Sequence, residues 1–197
     1  AGMRANEEHV ANVRDAVGDN IEIMADAYMG WDFVYAKKMV KRLEPYRLAW
    51  LEEAFLPDDL NSYAQLRQET SIPISGGEHE YTRFGFQQII EKKAMDIIQP
   101  DLRRCGGLSE GRRICSLALA NGITVIPHAY GPTHIHFALA ETAIPMIEYF
   151  PVPCWDDLPD AEVESIFFDE PQPQNGRVTA TAKPGFGVAL NERIFSS

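Results

Sequence analysis

The chain has 197 residues, 45% of them hydrophobic, and a formal net charge of -11 with a pI near 4.9. That length and composition support one main domain with a sizeable core. The acidity argues against a nucleic-acid partner, which would need a basic surface. No apolar run is long enough to span a bilayer and the first residues lack a signal-peptide core, so the chain as given reads as soluble. Cys105, Cys115 and Cys154 are odd in number and lack paired metal spacing, so no disulfide framework is expected and a reducing, cytoplasmic setting fits best.

In chain order, Glu7 to Val17 predicts a helix capped by Asn6, with Val10, Val13 and Val17 on its inner face. The apolar run from Ile21 ends on Asp26. Phe33 to Leu43 predicts a second helix, closed by Pro45, and Leu48-Ala-Trp-Leu-Glu52 a second strand. A helix over Asp59 to Gln68 leads to Ile72-Pro-Ile-Ser and a glycine pair before Glu78. Thr82 to Lys92 is helical, followed by Met95-Asp-Ile-Ile-Gln-Pro-Asp101. Ser109 to Ala120 predicts a helix capped by Ser109, then Ile123-Thr-Val-Ile-Pro-His128, a helix over Thr133 to Ala143, and Met146-Ile-Glu148. After Tyr149 prolines interrupt regular helix. Asn175-Gly176 predicts a turn between short strands Ile166-Phe-Phe and Arg177-Val-Thr-Ala-Thr.

The polar residues that close these runs recur every 26 residues from Asp26 to Glu52 to Glu78, then after 23, 27 and 20 at Asp101, His128 and Glu148. Such a period holds one strand, one helix and two loops, so the chain reads as six βα units with parallel strands. In a closed parallel barrel the reactive residues gather where the βα loops begin. Three carboxylates converging at one rim repel one another unless a cation holds them, and all-oxygen ligation favours magnesium. Asp26, Glu52 and Glu78 are the expected ligands. Glu53 is the alternative to Glu52, since adjacent strand residues face opposite sides and periodicity only slightly favours Glu52. Asp101 beside His128 forms an acid–base dyad. His79 could line the site or cap the next helix. His9, His134 and His136 read as surface or packing residues.

Asp26, Trp50-Leu-Glu52-Glu53, Gly77-Glu78, Gln99-Pro100-Asp101, Gly106-Gly107, Pro127-His128 and Ile147-Glu148 together resemble the mandelate racemase subgroup of the enolase superfamily. Gly77-Glu78-His79-Glu80-Tyr-Thr-Arg83-Phe-Gly-Phe86 and Asp96-Ile-Ile-Gln-Pro-Asp101 are most similar to its rhamnonate dehydratases. The resemblance runs from about Asn6 to the end. It implies a TIM-like (β/α) barrel in which this chain supplies strands three to eight. It also implies that two strands and a capping domain precede Ala1, with residues 1–160 the partial barrel and 161–197 returning to the cap. Magnesium at Asp26, Glu52 and Glu78 is implied, with catalysis by His128 and Asp101 and a hydrogen bond from Glu148 to the substrate carboxylate. His79, Tyr28 and Arg104 are the expected substrate contacts. Tyr28 stands where many relatives carry asparagine, and Arg104 where a cycloisomerase carries lysine. The activity implied is dehydration of a sugar acid to a 2-keto-3-deoxy acid in a homo-oligomer. A racemase or epimerase and a noncatalytic barrel scaffold are the alternatives. These residues are expected to be inactive by themselves.

Overall fold

The computed structural model describes residues 2–150 and 167–192. Its core is a parallel sheet with a helix after each strand. In order come α1 (Gly2–Val17), β1 (Ala25–Asp26), α2 (Phe33–Leu43), a 3-10 turn (Glu44–Tyr46), β2 (Leu51–Glu52), α3 (Leu60–Glu69) and β3 (Ile74–Gly76). They continue with α4 (Thr82–Glu91), β4 (Ile97–Ile98), α5 (Gly107–Ala120), β5 (Thr124–Val125) and α6 (Pro132–Ala140). Two further strands, β6 (Phe167–Phe168) and β7 (Ala189–Leu190), pair antiparallel in a separate sheet.

The main sheet has the spatial order β1-β2-β3-β4-β5, every neighbour parallel and consecutive in sequence, as repeated βα units require. Its ladders are short, but flanking backbone bonds extend them. Ala27 N–H donates to Glu52 O at 3.0 Å, Glu53 N–H to Ser75 O at 3.1 Å, Gln99 N–H to Gly76 O at 2.9 Å and Ile126 N–H to Ile98 O at 3.0 Å. Leu51, Ile74, Ile98 and Val125 are fully buried, as strands covered on both faces should be. Helix stripes close over them: Ala36, Met39, Val40 and Leu43 from α2, Phe86 and Ile89 from α4, and Ile114, Cys115 and Ala118 from α5.

Asp32 and Asp59 start their helices by accepting from Tyr35 N at 2.8 Å and Ser62 N at 3.1 Å, satisfying amides that have no partner within the helix. Several expected boundaries move. The first helix begins at Gly2, so Asn6 lies inside it, and Val13 and Val17 are exposed while Arg14 is buried. The Arg14 guanidinium explains the inversion, since it donates to the carbonyls of Gly18, Ile21, Tyr46 and Arg47 and ties the loop after α1 to the turn after α2. α5 starts at Gly107, two residues before Ser109, because Gly106 at φ 115 makes the turn that begins it.

The sixth strand is a larger difference. Met146 to Glu148 forms no ladder among the described residues; Val125 N–H instead donates to Ala143 O at 3.1 Å, and Pro145 has no N–H to continue pairing. In the tail the Asn175-Gly176 turn is present, with Gln174 and Arg177 bonded across it, but the bridge stops there. Phe167–Phe168 pairs with Ala189–Leu190 rather than with the segment after Arg177, no residue of which through Thr181 is buried. Ile166, Cys154 and the expected domain boundary at 160/161 lie outside the described residues. Cys105 and Cys115 are free and buried. Among the described residues no helix is long and apolar enough to cross a membrane.

Candidate active site

Parallel pairing sets the strand ends level. Asp26 is the register partner of Glu52, and Glu52 of Ser75; Gly76 pairs with Ile98 and Ile98 with Val125. Glu78, Asp101 and His128 therefore leave the sheet within three residues of its last paired level. All point to one rim.

The alternation that left Glu52 and Glu53 open is broken by the backbone. Glu53 has φ 40, a conformation that a side chain rarely tolerates, and both carboxylates are buried, at 8% and 2% exposure. Glu52 Oε2 accepts from Trp50 Nε1–H at 3.0 Å. Glu53 Oε1 lies 3.0 Å from His79 Nδ1, while its Oε2 is buried without a hydrogen-bond partner. Both carboxyls are pushed above their ordinary range, first by burial and then by neighbouring carboxylates, Asp26 and Glu148 for Glu52 and Glu78 and Asp26 for Glu53. Burial raises Asp26 too, with Glu78 adding to it and the 2.7 Å bond from Tyr28 N–H opposing it.

Crowded, desolvated carboxylates with an orphaned oxygen form a donor set suited to a hard divalent cation. Asp26, Glu52 and Glu78, the expected ligands, stand at or just beyond the ends of adjacent strands, while the orphaned oxygen belongs to Glu53. The tightest three-group cluster among the described residues, however, is Glu53, Glu78 and His79, whose ligand atoms fall within 4.8 Å of one another. Glu53 thus enters the site beside Glu52 instead of replacing it.

His128 is held on both ring nitrogens. Nδ1 is 3.2 Å from Asp101 Oδ2, and Nε2 is 3.1 Å from Glu78 Oε2 and 3.9 Å from Glu148 Oε2. Burial lowers its pKa, but Asp101, Glu78 and Glu148 outweigh burial and raise it above the ordinary value. Burial likewise pushes the Asp101 carboxyl up, yet the His128 and His134 rings and the Arg103 amide and guanidinium hold it well below the usual carboxylate range. Glu148 accepts from Ala129 N–H at 2.6 Å, so it reaches the rim from irregular chain. Arg104 Nη1 lies 3.1 Å from Glu78 Oε1, and His79 Nδ1 is 3.6 Å from the same oxygen. Tyr28 is exposed at the rim, its ring 6.4 Å edge-on from His79.

The sequence profile described as enolase C-terminal domain-like matches residues 1–194. The chain belongs to that family. Among members of the enolase C-terminal domain-like family, it is 38% identical over 200 residues to an L-rhamnonate dehydratase of Saccharopolyspora erythraea, covering 98% of this chain and 50% of that protein. The structure superposes on rhamnonate dehydratase from Gibberella zeae complexed with Mg at a TM-score of 0.87 and 35% identity, over 99% of this chain and 49% of that one. L-Talarate dehydratase from Polaromonas sp. JS666, complexed with Mg and L-glucarate, gives 0.86 at 28% identity, over 98% and 51%. The chain spans about half the length of these relatives.

Two site neighbours escape a reading of strand ends. Arg103 donates its amide to Asp101 Oδ1 at 2.8 Å, and His134, buried at 1% exposure, stands 3.7 Å from the same oxygen. His134 was expected at the surface or in packing. The available signal was its place in the first turn of the helix that follows His128, whose N-terminus faces the rim. His136, stacked edge-on against Phe186 at 5.5 Å, and exposed His9 fit that earlier expectation.

Proposed function

We propose that the chain carries the cation-binding and acid–base groups of a magnesium-dependent dehydratase acting on a sugar acid, an aldonate or aldarate of the rhamnonate kind. The observation that carries this reading is His128, held by Asp101 on one nitrogen and presenting the other to Glu78 and Glu148. The L-rhamnonate dehydratase relative at 38% identity and the magnesium complexes of similar fold support it.

In this reading Asp26, Glu52 and Glu78 hold magnesium. When bound, the cation supplies the positive charge that stabilises an enediolate dianion in place of water. His128 Nε2 takes the proton alpha to the substrate carboxylate, while Asp101 keeps Nδ1 protonated and the ring oriented. The protonated His128 then gives its proton to the departing hydroxyl on the next carbon. The enol that remains tautomerises to a 2-keto-3-deoxy acid. Glu148 lies 3.9 Å from His128 Nε2, where it meets the substrate carboxylate; Arg104, His79 and Tyr28 line the approach.

The test is alpha-proton exchange in deuterium oxide and 2-keto acid formation across a panel of aldonates and aldarates, using the full gene product with magnesium. His128→Asn is expected to abolish both. No product from any panel member, with magnesium binding intact, overturns dehydration. Exchange without dehydration favours racemisation, a reading that the second imidazole–carboxylate pair, His79 with Glu53 at 3.0 Å, makes specific by offering a second base. The same assay on residues 1–197 alone tests their expected inactivity, which turnover would refute.

A further inference from the structure

His134 has no role in the steps above, yet it is among the most completely buried polar side chains of the site, at 1% exposure. Its Nδ1 lies 3.4 Å from Thr133 Oγ1, whereas Nε2 is buried with no hydrogen-bond partner. A ring nitrogen stripped of water and left unpaired is costly, so such a group either has a reason to be where it is or would be replaced by an apolar side chain. Asp101 Oδ1 stands 3.7 Å from it, slightly beyond hydrogen-bond length.

The two oxygens of Asp101 share Arg103 but face different imidazoles. Oδ2 faces His128 Nδ1 at 3.2 Å, accepts from Arg103 Nη2 at 3.3 Å and lies 3.9 Å from Arg104 Nε. Oδ1 accepts from the Arg103 amide at 2.8 Å and from Arg103 Nε at 3.3 Å, and His134 approaches this oxygen. The Arg103 side chain is 63% exposed, so its guanidinium is poorly fixed. His134, enclosed in the first turn of α6, is a rigid donor.

We propose that His134 is a positioning residue of the dyad: its Nε2–H closes on Asp101 Oδ1 and fixes the carboxylate plane, so that Oδ2 stays aimed at His128 Nδ1. The Thr133 hydroxyl donates to Nδ1 and selects the Nε2–H tautomer that this requires. The arrangement is an imidazole–carboxylate–imidazole chain in which only His128 touches the substrate. It rests on the reading of His128 as the acid–base group.

Histidine tautomers read by long-range proton–nitrogen correlation on uniformly 15N-labelled protein decide the geometry without substrate or metal. His134 is expected as the Nε2–H tautomer, with a resonance that shifts in Asp101→Asn. An Nδ1–H tautomer, or a resonance indifferent to Asp101→Asn, overturns the proposal. The kinetic arm compares His134→Phe, which keeps bulk, with His134→Gln, which keeps an N–H donor. His134→Phe is expected to lower kcat about 10-fold with KM little changed, and His134→Gln to recover most of the loss. Equal rates in the two variants, or the better rate in His134→Phe, reduce His134 to packing and refute the role. If no sugar acid is turned over but the tautomer and its response to Asp101→Asn hold, the dehydratase reading fails and the His134–Asp101 contact stands.

Discussion

Trp50→Phe tests one buried hydrogen bond as a support both for the stability of the acidic rim and for its proposed capacity to hold a cation. The indole N–H donates to Glu52 Oε2 at 3.0 Å, with both residues only 8% exposed. A buried hydrogen bond to a charged acceptor contributes about 1.5–3 kcal/mol, and trimming indole to phenyl adds about 1 kcal/mol of lost packing. The sum, about 2.5–4 kcal/mol, corresponds to a fall in Tm of about 5–15 °C for a domain of this size. Urea unfolding followed by circular dichroism measures it, and a cycle with Glu52→Leu isolates the bond from packing. Coupling of about 1.5–3 kcal/mol is expected between the two positions. Coupling under about 0.5 kcal/mol would refute the reasoning, because the indole would then be only a space-filler. Magnesium affinity in Trp50→Phe is expected to fall by about 10–100-fold, the usual consequence of removing a partner that orients a ligand.

Gly77→Ala should destabilise the fold by about 2–4 kcal/mol, since φ is 111 and an added Cβ would sit 3.0 Å from Phe86 Cε1; an unchanged urea midpoint would contradict this. Glu78→Gln is expected to weaken magnesium binding by at least about 10-fold in a calorimetric titration. Retained affinity would remove Glu78 from the ligand set. Glu110 accepts from the Arg83 amide at 2.9 Å and from the Arg83 and Arg113 side chains, which hold its pKa at about 2 against an ordinary 4.5. A depressed carboxyl stabilises the fold fully above its unfolded value and loses that contribution as pH falls through the folded one. The stability difference between the protein and Glu110→Gln should therefore be complete above pH 4.5 and shrink towards pH 2, as read from the unfolding midpoint at each pH.

The repeat of polar residues at strand ends was legible because a βα unit has a nearly fixed length, so the spacing of Asp26, Glu52, Glu78, Asp101 and His128 carries the register of the sheet. The helix over Phe33 to Leu43 was legible for similar local reasons, its bounds matching α2, whereas Asp59 caps the helix it was expected to begin. What was not legible depends on single backbone turns and on distant partners. Glu53 joins Glu52 inside because one residue adopts φ 40, and pattern rules assume a pleat that this residue does not follow. Arg14 is buried although a charge on a helix normally marks the wet face, because four carbonyls from two connecting segments converge on it. Met146 to Glu148 looks like a strand by composition, but Glu148 reaches the rim by a side-chain bond to the Ala129 amide, without ladder pairing.

The same logic explains why Glu78 is central. It accepts Arg104, approaches His79 and faces His128, so three potential cations compete for one buried carboxylate. In the proposed reading Glu78 binds magnesium and lies 3.1 Å from the general base, which couples the two functions: drawing Glu78 towards a cation would weaken its hold on His128 Nε2 and free that nitrogen for the substrate. Magnesium should therefore lower the pKa of His128, because a carboxylate that now stabilises its protonated form is spent elsewhere. Titration of the His128 ring resonances with and without magnesium measures this. A pKa unmoved by saturating magnesium would mean that Glu78 serves the base alone, and the ligand set would have to be completed by Glu53.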